Sequence, residues 1–508
     1  MLAKSHSVAF VGADATLVDV EVHVASSGLP TFRLVGLAAA SVREAEQRTR
    51  AAITSCDEMW PLRKITVNLA PGGVRKEGTH FDLPIALGVL AGAGIFDPEV
   101  LDGWLILGEL RLDASVRPVR GVLAAAISAS RAGLKGIICP AQNASEAAIV
   151  DGLEVVAVTH LKECLGFFGS TWTPPVVSGA PVCDERSGPD LRDVRGQRAA
   201  KYALEVAAAG GHNLLLQGPP GAGKTMLARC LPSLLPAMSF EESLDVTKIH
   251  SVAGILPEGS GLLTTRPFRT PHHNVSMAGL IGGGIGLAHP GEASLSHHGV
   301  LSLDELGLYR GEALDALRAP IEEGRIRIAR SAGAVTLPCS FSLVAAMNPC
   351  PCGFRQDNKR TCSCSAVQMR AYSARVSGPL LDRFDMQISV QRLSKEELLG
   401  PESGESSEAV RERIEMARAL QHDRYGSVRM TNARATRRDL EIELTSSTDV
   451  RRKLETAIDD HALSGRGVTR VLRVARTLAD LRSAQRVCGD DVAMALFMRL
   501  DDIVCDAA

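Results

Sequence analysis

Short apolar runs open the chain: Val18 to Val24, Ile65 to Leu69, Trp104 to Leu107 and Gly136 to Cys139 read as strands. Between them, Asp82 to Ala93 and Val122 to Ala132 are the clearest helical stretches. That mixture predicts an α/β or α+β domain over residues 1–172. Residues 173–190, TPPVVSGAPVCDERSGPD, are rich in Pro, Gly and Ser and read as a linker. A strand, a glycine-rich loop and a helix come next, and the alternation continues as an α/β domain over 191–394. The polar stretch Gly400 to Ser407 breaks the pattern. Residues 395–508 then read as a helical lid. No repeat of fixed period is visible.

Composition bounds the class without naming it. A chain of 508 residues, 45% apolar and 22% charged, is ordinary globular protein, too long for one core. Fifty-six basic against 58 acidic residues give a net charge of -2, which excludes a protein that coats nucleic acid by bulk charge. A locally basic channel stays open. No apolar run spans a membrane, and Met1 to Phe10 lacks the apolar core of a secretion signal. A cytoplasmic location is expected, with the 12 cysteines reduced. Eight of these are scattered and read as buried small hydrophobes; the other four lie between Cys350 and Cys364.

The sharpest motif is Gly218-Pro219-Pro220-Gly221-Ala222-Gly223-Lys224-Thr225, which fits G-x-x-x-x-G-K-[ST] between a buried-strand run, His212 to Gln217, and a helix beginning at Met226 to Leu231. Its glycines let backbone N–H groups wrap phosphates, and the helix N-terminus adds a positive dipole. Lys224 would reach the β/γ-phosphates of ATP and Thr225 would hold Mg²⁺. A second apolar run, Val300 to Leu303, ends in Asp304 and Glu305. Asp304 suits a water-mediated Mg²⁺ contact, and Glu305 a general base that polarises the attacking water. A third run, Phe341 to Met347, ends in Asn348, suited to positioning that water. Lysine, Asp-Glu and Asn in this order are those of an AAA+ ATPase.

The stretches HPGEASLSHHGVLSLDEL (289–306), AAMNPCPCG (345–353) and SGPLLDRFD (377–385) resemble the magnesium-chelatase-like AAA+ proteins, and among them the ComM/YifB type. The resemblance implies a P-loop AAA+ core within a homo-hexameric ring whose nucleotide lies between neighbouring subunits. Arg383 resembles the arginine finger that this group supplies in trans. SGRGVTRVLRVARTLADL (464–481) resembles the sensor-2 helix, with Arg466 first and Arg470 second for the phosphate contact, and Arg473 and Arg476 open to a surface role. Val194, Gly196 and Gln197 resemble the segment that wraps the adenine.

Other patterns bear on partners. A long insert, Phe240 to Pro290, holds RPFRTPHHN and the loop GLIGGGIG (279–286), whose glycines suggest a mobile loop and not a packed core. Residues 324–330 and 335–337 flank Ser331 to Ala334 as a β-hairpin with Arg325, Arg327 and Arg330 on one face. Related ring helicases point such loops into the channel. These arginines either contact DNA or pair with Glu322 and Glu323 on a solvated face. Cys350-x-Cys352 and Cys362-x-Cys364 supply four thiolates, a set that suits structural Zn²⁺. The pairs His272-His273 and His297-His298 read as packing or backbone-bonded histidines.

ITVNLAPGGVRKEGTHFDLPIALGVL (65–90) and residues 107–140 resemble the proteolytic domain of Lon-type proteases. Against that family's pattern, His80 stands where the serine nucleophile belongs. Leu123 follows Arg120-Gly121-Val122 where the lysine belongs. With neither nucleophile nor base, proteolysis is not expected; a ring-forming or DNA-contacting platform is. Three functions are therefore weighed. The first is an ATP-driven DNA motor for branch migration in recombination and natural transformation, which the resemblance implies. The second is a chelatase-type subunit. The third is a protein-remodelling ATPase, which would require an aromatic pore grip where this chain offers glycine and arginine.

Overall fold

The computed structural model describes residues 1–177, 188–284, 289–330, 333–355, 357, 359–399, 404–461 and 463–499. Most of the segment read as a linker, the end of the glycine loop and part of the hairpin turn lie outside these residues, as do Cys183 and Cys505. Two sheets organise the chain. The first contains β1 (Leu2–Val11), β2 (Asp14–Val24), β3 (Thr31–Val35), β4 (Lys64–Ala70), β5 (Trp104–Ile106), β6 (Gly136–Pro140) and β7 (Glu154–Val158) in the order β3-β4-β2-β1-β5-β6-β7. It is mixed: β1–β2 and β2–β4 are antiparallel, the other pairs parallel. The apolar helix Asp82–Ala93 is buried on nearly every face. It lies so close to β2 that Gly88 and Gly92 have no room for a Cβ beside Val22 and Val24.

The second sheet is wholly parallel. It consists of β8 (Leu214–Gln217), β9 (Phe268–Arg269), β10 (Val300–Leu303), β13 (Ser342–Met347) and β14 (Met386–Ser389) in the order β9-β10-β13-β8-β14. Between β10 and β13 stand β11 (Arg325–Arg330) and β12 (Gly333–Pro338), an antiparallel pair outside the sheet. Covered on both faces, β8 and β10 are buried throughout, which is why they read as unbroken apolar runs and not as alternations. The fold is mixed α/β with a parallel P-loop sheet.

Residues 407–497 form helices, among them Ser407–Tyr425, Thr448–His461, Gly465–Leu481 and Gly489–Phe497. One apolar core joins them to the helix Arg198–Gly210 and to β8. The first 13 residues reach the parallel-sheet region as well. The turn Gly12-Ala13 between β1 and β2 buries Ala13 with Ile328, Val335 and Leu337 of the hairpin. Gly12 has φ +67°, and a Cβ there would lie 2.7 Å from Val335 Cγ1. Asp14 pairs with Lys248 at 2.9 Å, and buried Glu146 accepts from Ser251 at 2.6 Å.

Several expectations change. The glycine loop is packed in part: Leu280, Gly282 and Gly283 are buried, with Gly291 against Gly282 too closely for any side chain, while Gly279 and Gly284 are exposed. Arg476 is no surface residue; it is fully buried between Glu443 (2.8 Å) and Asp480 (3.0 Å). Arg473 is held by the Ala435 carbonyl. Cys488 is exposed, since it caps the helix Gly489–Phe497 and does not pack; Cys56, Cys139, Cys164, Cys230 and Cys339 are buried as expected. No described helix is long and apolar enough to cross a membrane.

Candidate active site

The phosphate loop leaves β8 and turns into the helix Lys224–Leu234. Gly221 (φ +76°) and Gly223 (φ +92°) supply the left-handed backbone that the turn needs. A Cβ on Gly218 would strike the Val390 carbonyl, so glycine is required where the loop passes β14. Lys224 Nζ folds back on its own loop, donating to the carbonyls of Gly218 (2.7 Å) and Pro219 (2.9 Å) and to Asn348 Oδ1 (3.1 Å). Burial pushes this ammonium down to about 8, against the pull of Asp304 and Glu305.

Because β10 and β13 lie side by side next to β8, their C-terminal ends deliver Asp304, Glu305 and Asn348 to the same place. Thr225 Oγ1 donates to Asp304 Oδ2 at 2.7 Å. Pro220, Ala222, Lys224, Thr225, Asp304, Glu305 and Asn348 all border one cavity of about 410 Å³. Lys224 is its cation, and no arginine borders it among the described residues. Glu305 holds a left-handed backbone (φ +52°), a strained position for a glutamate. Gln197, also left-handed, donates to the Ala222 and Gln391 carbonyls and so straps the Val194–Gln197 segment to the loop.

The arginines assigned from resemblance stand elsewhere. Arg383 pairs with Glu322 at 2.8 Å and donates to the Pro379 carbonyl. Arg470 is buried against Asp382 (2.5 Å) and Asp385 (3.7 Å), bracing the segment that carries Arg383. Arg466 is exposed and makes no polar contact with a described residue. Within one chain, none of the three borders the cavity. On the hairpin, Arg325 and Arg327 are exposed while Ile326 and Ile328 are buried, the alternation expected of a strand with one covered face. Arg325 also pairs with Glu323 at 3.3 Å, whereas Glu322 is taken by Arg383.

Sulfur separations of 3.4 Å (Cys350–Cys352), 3.7 Å (Cys350–Cys362) and 3.6 Å (Cys352–Cys362) exclude disulfides. All four Sγ atoms, that of Cys364 included, lie within 4.8 Å of one another. Tetrahedral zinc with Zn–S bonds of about 2.3 Å sets its sulfurs about 3.8 Å apart, so the donor set fits zinc. The backbone N–H of Phe354 holds the Cys352 thiol down to about 6, while burial pushes that of Cys350 up. Gly353 of the same knuckle lies so close to Pro220 of the phosphate loop that a Cβ would clash at 2.6 Å.

The histidine pairs divide: His273 has a contact the sequence did not show, while His297 is backbone-bonded as expected. His273 Nδ1 stands 3.7 Å from Glu305 Oε2; the signal was its place just after β9, the neighbour of β10. His297, His298 and Asp245 also gather potential ligand atoms within 4.8 Å. His297 Nδ1, however, accepts from the Ser340 N–H. The neutral ring then carries its proton on Nε2 and has no lone pair for a cation. Burial pushes this imidazole down to about 3, and backbone bonding is its role.

A phosphate loop facing an Asp-Glu pair and an asparagine on adjacent parallel strands defines a P-loop ATPase of the AAA+ class. The family descriptions "Magnesium chelatase, subunit ChlI", "Subunit ChlI of Mg-chelatase" and "Magnesium chelatase, subunit ChlI C-terminal" match residues 190–398, 20–143 and 404–499. The chain belongs to this AAA+ ATPase family, in its ComM/YifB branch. It is 44% identical to an uncharacterized protein of Mycobacterium tuberculosis, with 98% of each chain covered. The competence protein ComM of Haemophilus influenzae is 39% identical over 98% of this chain and 97% of its own. Escherichia coli YifB is 38% identical over 99% and 97%.

Proposed function

We propose that the protein is an ATP-driven ring motor acting on branched or single-stranded DNA, a branch-migration helicase serving homologous recombination and natural transformation. The hairpin carries this reading. Its apolar face is closed by the Gly12-Ala13 turn, so Arg325 and Arg327 are offered outward on a strand that cannot roll over. A braced strand that offers Arg327, with Arg325 beside its partner Glu323, suits phosphate backbone in a chain whose net charge is -2. A relative named as a competence protein supports the same setting.

In the ring, a cytoplasmic hexamer, Lys224 and Thr225 bind ATP and Mg²⁺ with Asp304. Glu305 activates the water that Asn348 orients. Arg383 supplies the guanidinium missing from the cavity of the neighbouring subunit, and Arg466 and Arg470 of the sensor-2 helix support it. Residues 395–508 act as the lid. The N-terminal domain serves as the platform, its buried His80 bonded to the Val8 carbonyl and held down to about 4, with no nucleophile to offer. Cys350, Cys352, Cys362 and Cys364 would hold zinc, which would fix the knuckle beside the phosphate loop. ATPase rate with and without four-way or forked DNA tests the reading: stimulation by DNA, lost with Arg325→Ala plus Arg327→Ala, is the expected result. A rate indifferent to DNA overturns it.

A further inference from the structure

On the side of the sheet away from the phosphate loop lies a cavity of about 700 Å³ between the parallel-sheet region and the C-terminal helices. Four arginines border it, and two of them are satisfied. Arg266 donates to Glu242 and to the Pro236, Ala237 and His298 carbonyls. Arg429 pairs with Glu241 (3.1 Å) and Asp245 (3.4 Å). The carboxylates Glu242 and Asp245 on this wall therefore have their own cations.

Arg418 and Arg434 differ. Arg418 gives Nε and Nη2 to the Ala208 carbonyl, and Arg434 gives Nη2 to Ser340 Oγ. Neither has a carboxylate partner among the described residues. Burial, together with the nearby Arg266 and Arg434, pushes half-buried Arg418 down to about 10 against the pull of Glu242, while Arg434 is exposed to solvent. The cavity opens to solvent and is also bordered by Glu242, Asp245 and Glu415, but these pair with Arg266, Arg429 and Arg411, so Arg418 and Arg434 leave it with an excess of positive charge that an anion completes. Their remaining N–H groups suit the oxygens of a phosphate group, and the cavity has the size of a small-ligand site.

We propose that this cavity is a phosphate-binding site, distinct from the ATP site, in which Arg418 and Arg434 hold the oxyanion. Its position gives the ligand a purpose. Arg434 also lies against Gly324, at 3.5 Å from a Cβ built there, and Gly324 and Ser340 are the two sides of the hairpin neck, closed by Cys339 N–H to the Gly324 carbonyl. A phosphate bound here ties the C-terminal helices to the neck of the arginine hairpin.

The test uses full-length protein carrying Lys224→Ala, which disables the phosphate loop, titrated calorimetrically with pyrophosphate. One saturable site is expected, weakened about tenfold or more by Arg418→Gln or Arg434→Gln. Thermal unfolding without anion, matching the parent, verifies that the variants fold; Arg434→Lys, which keeps charge but not the fork, is expected to fall between. If a single-stranded oligodeoxynucleotide competes with pyrophosphate and loses affinity in the same variants, the phosphate is that of the DNA backbone. If it does not compete, the ligand is a free phosphate compound. Absence of saturable binding in the Lys224→Ala protein, or binding unchanged by both arginine substitutions, overturns the proposal.

Discussion

Arg383 and Glu322 form an ion pair 2.8 Å long at the end of the helix Arg318–Glu323, which runs directly into the arginine hairpin. An arginine that leaves this pair to meet the neighbour's γ-phosphate must release the base of the hairpin as it goes. Arg383→Ala is expected to bind ATP with near-normal affinity while turnover falls about 10³-fold or more. Mixing Arg383→Ala with Lys224→Ala subunits should restore part of the activity, because one interface type then has both an intact loop and an intact finger. Steady-state ATPase across mixing ratios measures this, and a flat line rejects a finger acting in trans.

Nucleotide affinity should depend on pH through Lys224. Its free-state pKa is lowered to about 8, and a bound triphosphate favours the charged form, raising the value in the complex. Below pH 8 the proton is already in place. Above it, binding must take one up, so affinity falls as pH rises. Between pH 7 and pH 9 the ATP dissociation constant should rise about tenfold. Titration with a fluorescent ATP analogue at constant ionic strength reads it directly.

The cysteine knuckle should contain metal. Protein purified without chelators is expected to carry about one zinc per chain, lost on joint Cys350→Ser and Cys362→Ser substitution. Because Gly353 rests on Pro220, zinc loss should also weaken ATP binding, not only lower the unfolding temperature. Metal analysis alongside nucleotide binding checks both, and metal-free wild-type protein counts against the site.

Arg476→Ala should cost about 3 kcal/mol of stability, since Glu443 would be left buried without its cation while Asp480 keeps Arg424. Arg452→Ala removes a solvent-exposed pair with Asp449 and should leave the denaturation midpoint almost unmoved. Urea denaturation of the two variants provides the comparison.

The phosphate loop, Asp304, Glu305 and Asn348 were legible because each follows a buried parallel strand, and such strands announce themselves as apolar runs. That the three runs lie adjacent was not legible, since strand order is set by crossovers between distant segments. Arg470 and Arg476 show the same limit. Both belong to a helix with one apolar face; Asp480, four residues after Arg476, is in view, but Glu443 and Asp382, 33 and 88 residues away, are partners that sequence spacing does not reveal. Packing of the glycine loop was invisible for a related reason: glycine permits both mobility and close approach, and Gly291 against Gly282 realises the second.

The contact between the Gly12-Ala13 turn and the hairpin reaches beyond the reaction. A fragment starting at residue 188 would turn Ile328, Val335 and Leu337 toward water and forfeit several kcal/mol of apolar burial. The apolar face of the hairpin is thus finished by the first strand pair, and a change of size at the Gly12-Ala13 turn calls for a matching change at Val335 or Leu337.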